Sequence, residues 1–255
     1  MDKGIIFASF GSTHLDQYEK SLGKALNKTR TIFNDFYINE CMSSEIVRKR
    51  LKENQDKYYF NIKDALVDME KHGIKDIYVM ALYVLEGVEY NKLKMVADAY
   101  NFDNRLNITF TRGLLDEEKS IKEVAEILSS FKDDSCDAVV FMGHGSSHDE
   151  DEKYSSVQTY IDKQGAPVVV ATVEGEVGMD YVLERLKEFN AKCVKIAPFM
   201  LVAGDHAAND MASDDEDSWK TILKNEGYEV TPLVKGLCEF DEINDIFIKK
   251  LKDEI

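Results

Sequence analysis

Two of the five histidines stand where their neighbours point to chemistry. His144 lies between two glycines in "FMGHGSSH", residues 141–148, and His206 follows Gly204 in "LVAGDHAANDM", residues 201–211. Each comes after an apolar run of strand length, so each is expected just beyond the carboxyl end of a strand. Glu174 ends a third such run, "APVVVATVE", and falls between the two histidines in sequence. Two imidazoles and a carboxylate form a borderline-hard ligand set that suits Fe(II), Co(II), Ni(II) or Zn(II). Neutral imidazole also accepts protons near neutral pH. Without β-carbons, Gly143, Gly145 and Gly204 let the backbone turn sharply and a flat, bulky ligand approach it. Either histidine alone reads as a polar loop residue. Their joint occurrence carries the reading, and Glu176 stays open as an alternative to Glu174.

The other histidines take structural places. His14 and His148 read as turn or rim residues. His72, in "MEKHGIKD", is expected near a helix C-terminus before Gly73, where partial positive charge is favourable. The acidic run "SDDEDSW" has a metal-loop look, but Ser213 with Glu216 three residues on reads as a capping box and a helix first turn. The run "HDEDE", His148 to Glu152, reads as a second solvated helix start. Neither GxxxxGK[ST] nor GxGxxG is present, which argues against ATP and dinucleotides. The absence of GxSxG argues against a serine hydrolase.

These residues need a scaffold, and the chain writes it twice. Laying Gly4–His14 over Ala138–His148 puts Ile5 and Ile6 on Val139 and Val140, Phe7 on Phe141 and Gly11 on Gly145. Laying Met80–Tyr90 over Ala197–Ala207 puts Gly87 on Gly204. His144 and His206 then have Phe10 and Glu89 as counterparts, so the repeats share a backbone and differ in chemistry. Phe10 offers an apolar wall where its twin offers an imidazole. Strands are expected near 4–10, 35–39, 76–85, 106–111, 137–142, 167–173, 193–202 and 228–234. Between them run helical patterns, such as Val182, Leu183, Leu186 and Phe189, and finally Ile243, Ile246, Phe247 and Leu251. Alternating strands and helices imply βαβ units and parallel sheets. The expected fold is α/β: two similar doubly wound parallel-sheet domains from an internal duplication, residues 1–133 and 134–255, with an interdomain cleft beyond the strand ends.

Composition narrows the class further. The apolar fraction of 44% and three prolines among 255 residues fit a folded chain with a substantial core. Lysine and arginine number 32 against 48 acidic residues, a net charge of −16 that argues against nucleic acid. No apolar run approaches the ~20 residues of a membrane span. The opening "MDKGIIFASFG" ends in a glycine turn, not a cleavage site, so a cytoplasmic location is expected. Four scattered cysteines without CxxC spacing read as reduced, mostly buried thiols.

The stretches "FASFGST", "FMGHGSSH", "ATVEGEV" and above all "PFMLVAGDHAANDMASDDEDSW" resemble the anaerobic, early-insertion cobalt chelatases of cobalamin biosynthesis, which are class II chelatases. The resemblance runs over essentially the whole chain. It implies a lyase-class enzyme that inserts Co(II), as substrate metal, into sirohydrochlorin with no organic cofactor and no ATP. It also implies a metal site of His144, Glu174 and His206, all present here. His144 is then the leading proton acceptor with a shared metal contact, and His206 the firmer ligand. The macrocycle is expected against Phe10, Met200 and the Leu201, Val202, Ala203, Gly204 and Asp205 segment, with Glu89 pointing into the same cleft. Sirohydrochlorin is a polycarboxylate and the protein is acidic, so a local basic rim is expected, with Arg48, its "VRKR" neighbours and Lys220 as candidates. Iron or nickel insertion, a non-catalytic metal or tetrapyrrole carrier, and a metal-dependent α/β hydrolase remain the alternatives. A homo-oligomer stays open.

Overall fold

The structure, a computed structural model, describes residues 2–145, 152–175 and 177–255. Eight strands form two sheets: β1 (Lys3–Ser9), β2 (Tyr37–Met42), β3 (Asp76–Leu82) and β4 (Asn107–Phe110) in one, β5 (Ala138–Gly143), β6 (Val168–Thr172), β7 (Cys193–Pro198) and β8 (Glu229–Pro232) in the other. The strand orders are β2-β1-β3-β4 and β6-β5-β7-β8, the same order twice, and every pairing is parallel. β5 and β6, "AVVFMG" and "VVVAT", are buried along their whole length. That is the expected state of parallel strands covered on both faces, and it extends to β6 although that strand lies at an edge of its sheet. The edge strands β4 and β8 are partly exposed and more polar.

Among the described residues, α-helices follow the expected alternation: α1 (Leu15–Tyr18), α2 (Lys24–Ile32), α3 (Glu45–Gln55), α4 (Ile62–Lys71), α5 (Val88–Tyr100), α6 (Glu118–Ser129), α7 (Glu152–Gln164), α8 (Met179–Glu188), α9 (Trp219–Asn225) and α10 (Asp241–Glu254). Short π turns join α1 to α2 and fill 207–211. In α8, Val182 and Leu186 are fully buried, and Leu183 and Phe189 pack beside them against Val140, Ala171 and Ile196. The matching core of the first sheet gathers Ile6, Val79, Leu66 and Leu93. Each such side chain, taken from water, stabilises the fold by roughly 1.5–3 kcal/mol before entropy is counted.

The units divide elsewhere than expected. One comprises the chain up to Leu114 together with Asn244–Ile255, and the other Leu115–Ile243. The expected boundary at 133/134 falls within the second of these. α6 belongs with α7, to which it is tied by the Tyr160 hydroxyl donating to Glu118 at 2.6 Å and by Lys153 Nζ on the Asp116 carbonyl at 3.3 Å. α10 carries its buried stripe, Ile246, Phe247 and Leu251, into the first unit, where Asp245 meets Lys28 of α2 at 2.7 Å. Periodicity shows that a helix has an apolar face and not which sheet receives it.

Two local expectations also change. β3 and β7 stop at Leu82 and Pro198, before the segments that lead to Gly87 and Gly204. The capping box at Ser213 does not form. Ser218 caps α9 instead, accepting from the Thr221 amide at 3.2 Å, while Ser213 accepts from the Asp215 amide in a bend. The helix start expected at His148–Glu152 falls mostly outside the described residues, as does His148 itself. His72 behaves as read. It follows α4, with Nδ1 2.8 Å from the Asp68 carbonyl, and stacks on Tyr37 with 4.2 Å between ring centroids. His14 precedes α1 and donates its amide to Ser12 Oγ, a turn contact. Cys41, Cys136 and Cys238 are buried and Cys193 is half-buried. Among the described residues no helix is long and apolar enough to cross a membrane.

Candidate active site

The central strand of the second unit delivers the first histidine. β5 ends at Gly143, and the two residues beyond it are stitched to the end of β6: Val173 N–H donates to the Gly143 carbonyl at 3.0 Å and Glu174 N–H to the His144 carbonyl at 2.9 Å. Gly145 then turns at φ +85°, and a β-carbon there would lie 2.6 Å from the Gly175 nitrogen. Only glycine satisfies both conditions. A β-carbon on Gly143 would in turn meet the Tyr154 ring at 2.9 Å. The tight apposition of these two loops sets His144 Nδ1 3.8 Å from Glu174 Oε2.

The third residue arrives from β7. After Pro198 the chain runs as a loop in which Phe199 is fully buried and Met200 packs on the second-unit core. Residues 236–238 brace that loop: Leu237 and Cys238 donate to the Met200 and Leu201 carbonyls at 2.8 and 3.1 Å, and a β-carbon on Gly236 would strike Leu201 O at 2.5 Å. Ala203 is buried, leaving only its backbone to a ligand, whereas Leu201 and Val202 are half-buried and Asp205 is exposed. A β-carbon on Gly204 would meet nothing within 4 Å. Its neighbours therefore do not demand glycine, and the open space beside it is where a flat ligand can come close. His206 enters the π turn of 207–211, which is anchored inward by buried Ala207 and Met211.

The rings of His144 and His206 meet edge to face, with centroids 4.6 Å apart and planes at 84°. Each holds its Nδ1 against an acceptor of its own element. His144 Nδ1 lies 2.9 Å from the Gly145 carbonyl, and His206 Nδ1 lies 2.5 Å from Asp210 Oδ2. A ring whose Nδ1–H donates in this way keeps Nε2 for a ligand, the arrangement usual for metal-binding histidines. The side chains of His144, Glu174 and His206 are about half exposed, at 46%, 61% and 41%. They adjoin one another, yet among the described residues no three His, Cys, Asp or Glu side chains form a ready metal-binding group. Side-chain rotation of the exposed Glu174 and His144 would be required to bring three donors to one point. Glu176 lies outside the described residues.

The first unit repeats this frame with other side chains. Ser43 N–H donates to the Ser9 carbonyl at 2.8 Å and Ser44 N–H to the Phe10 carbonyl at 3.2 Å, the same two bonds as at His144 and Glu174. Gly11 turns at φ +92°, matching Gly145. Phe10 is 48% exposed, Ser44 replaces Glu174 and caps α3, and Glu89 accepts from Ser43 Oγ at 3.1 Å. Of the expected basic rim, Arg48 donates to the Met42 and Ser43 carbonyls, and Lys220 is paired with Asp214 at 2.9 Å. Both are committed locally. Asp210 escaped sequence reasoning, although its spacing of four from His206 is a usable signal once that segment is taken as helical.

A sirohydrochlorin cobaltochelatase of Salmonella typhimurium is 28% identical over 98% of this chain and 96% of its own length. Another, from Nitratidesulfovibrio vulgaris, is 29% identical over 98% of this chain and 89% of its own length. In fold, the chain resembles SirB of Bacillus subtilis solved with Fe3+, with a TM-score of 0.65, 13% identity and coverage of 99% and 95% of the two chains. A SirB sirohydrochlorin chelatase structure in complex with cobalt gives a TM-score of 0.64 at the same identity and coverage. The cobalt chelatase (CbiK) family profile matches residues 3–255, and the chain belongs to that family.

Proposed function

We propose that this chain catalyses insertion of Co(II) into sirohydrochlorin, with His144, Glu174 and His206 as its metal-handling residues. The observation that carries the site assignment is the edge-to-face pair of imidazoles at adjacent strand ends, each with Nδ1 engaged. Metal insertion must strip water from the cation and remove two pyrrole protons. Two adjacent imidazoles divide those tasks, one holding the metal while the other accepts protons. His206, backed by a carboxylate, is the better-supported ligand, because a carboxylate on Nδ1–H raises the basicity of Nε2. His144, backed only by a carbonyl, is the proton acceptor with shared metal contact. Glu174 completes the coordination and offsets part of the metal's charge.

Phe10, Glu89, Met200, Leu201, Val202, Gly204, Asp205 and the backbone of Ala203 are assigned to the tetrapyrrole, Phe10 and Glu89 because they occupy the repeat places of His144 and His206. The reaction needs neither ATP nor an organic cofactor, since the cation arrives already divalent and deprotonation is the work of local bases. A cytoplasmic setting belongs to the same reading.

The test is an anaerobic absorbance assay with sirohydrochlorin and Co(II), Fe(II) or Ni(II), run beside His144→Ala and His206→Ala. Co(II)-dependent spectral change is expected in the parent protein. His144→Ala should slow it about 10²–10⁴-fold, and His206→Ala should abolish it with the fold intact by circular dichroism. Tetrapyrrole binding without faster insertion would leave a carrier. Near-normal turnover in His206→Ala would remove that residue from the mechanism.

A further inference from the structure

We infer that Asp210 is a positioning residue for His206, fixing which ring nitrogen the histidine offers to the incoming metal. The inference rests on His206 being a metal ligand, as proposed above. Asp210 Oδ2 lies 2.5 Å from His206 Nδ1, a short, charge-assisted distance. Donor and acceptor stand four residues apart on one short helical segment that closes as a π turn over 207–211. The wider turn is held in place by Ala207 and Met211, both buried, so the carboxylate's station is set by packing beneath it. His206 is 41% exposed, and among the described residues its ring is held by this hydrogen bond. Without it the imidazole would be free to turn about χ2 and present either nitrogen.

The repeat supplies an internal contrast. Gly204 corresponds to Gly87 and His206 to Glu89, which places Asp210 over Leu93. In the first unit that position lies on a regular helix, α5, and Leu93 is buried in the core. The carboxylate is thus present only in the repeat that carries the histidine, and in the segment that departs from α geometry. His144 Nδ1 faces instead the carbonyl of the next residue at 2.9 Å, with the Glu174 carboxylate farther off at 3.8 Å. The two imidazoles are therefore oriented by different means, and removal of Asp210 should affect one alone.

Two variants separate this role from a contribution to folding. Asp210→Asn keeps an oxygen acceptor for Nδ1–H, while Asp210→Leu installs the residue of the repeat partner and removes the acceptor. Both are titrated anaerobically with Co(II) in the absence of tetrapyrrole, following the visible ligand-field bands, with His206→Ala in parallel and thermal melts as a fold control. Loss of a carboxylate that holds a ligand histidine typically weakens metal affinity about 10–100-fold. Asp210→Leu is expected to lose that much affinity and to shift the bands, and Asp210→Asn to recover most of both, with melting temperatures unchanged. In turnover, Asp210→Leu should raise KM for Co(II) more than it lowers kcat. Wild-type affinity and bands in Asp210→Leu, while His206→Ala loses them, would overturn the role of Asp210 alone. Unchanged Co(II) binding in His206→Ala would overturn the ligand assignment and this inference with it.

Discussion

At the scale of single residues, the site depends most on an atom that is missing. Gly145 lies at φ +85° with the Gly175 nitrogen 2.6 Å from where a β-carbon would stand. Gly145→Ala therefore combines a disfavoured backbone conformation with a collision against main chain that has no rotamer to escape into. A cost of about 1–3 kcal/mol is expected for the conformation alone, read as a lower midpoint in urea unfolding. Because the turn also sets the distance between His144 and Glu174, Co(II) affinity should fall in the surviving folded protein. Gly204→Ala is the control: with open space around its β-carbon, it should leave stability within about 0.5 kcal/mol. Unchanged stability in Gly145→Ala would show that the two loops can separate. The glycines made the histidines conspicuous in sequence, since a strand end followed by Gly-His-Gly is a turn signal with a reactive group on it. What sequence could not separate was a glycine demanded by the backbone from one that merely leaves room. Asp210 was hidden for a related reason: its acceptor role requires the π turn, which has no periodic pattern of its own.

At the scale of elements, all eight strands were legible because central parallel strands are continuous apolar runs and the edge strands lie between clear helical patterns. Their ends were less so, since Tyr83 to Leu85 and Phe199 to Val202 are apolar enough to extend a strand but leave the ladder after Leu82 and Pro198. The Ser213 cap failed because two serines compete for one helix start, and Ser218 lies directly before Trp219, whose burial fixes α9. One strand also carries a conflict that periodicity does not register. Glu40 of β2 has its carboxyl pushed up by burial, an effect opposed by Arg30 and the Tyr18 hydroxyl and reinforced by Glu19. A carboxyl with a raised folded pKa binds its proton more tightly in the folded state, so stability falls as pH rises from the unfolded value near ~4.3 through the folded value. Glu40→Gln should therefore raise the melting temperature at pH 7 to 8. That gain should shrink as pH falls through the folded value, where Glu40 regains its proton. An equal gain at pH 4 and pH 8 would mean that the side chain acts through packing and not through charge.

At the scale of the whole molecule, the two repeats share one strand order and differ in chemistry. Both sheets follow one strand order, and both place the same pair of backbone hydrogen bonds and the same positive-φ glycine after the first strand. The order was readable from two short alignments, but the assignment of α6 and α10 to their units was not, because it depends on which apolar faces meet across a long separation in sequence. On the proposed assignment, in which only the second repeat handles metal, the shared frame makes a direct prediction. Phe10→His places an imidazole at the twin of His144, on a backbone already shaped for it. Its neighbours, however, would be Ser44 in place of Glu174 and Glu89 in place of His206, with Leu93 where Asp210 stands. Ser44 is engaged in capping α3 and Glu89 accepts from Ser43, so neither is poised as Glu174 and His206 are. Equilibrium dialysis with Co(II) should find one strong site per chain in both the parent protein and Phe10→His, with at most a weak addition in the variant. Two equal sites in the parent would contradict the asymmetry altogether. A second strong site created by Phe10→His alone would mean that the frame and a single imidazole suffice, and that Glu174, His206 and Asp210 add little to the affinity of the first.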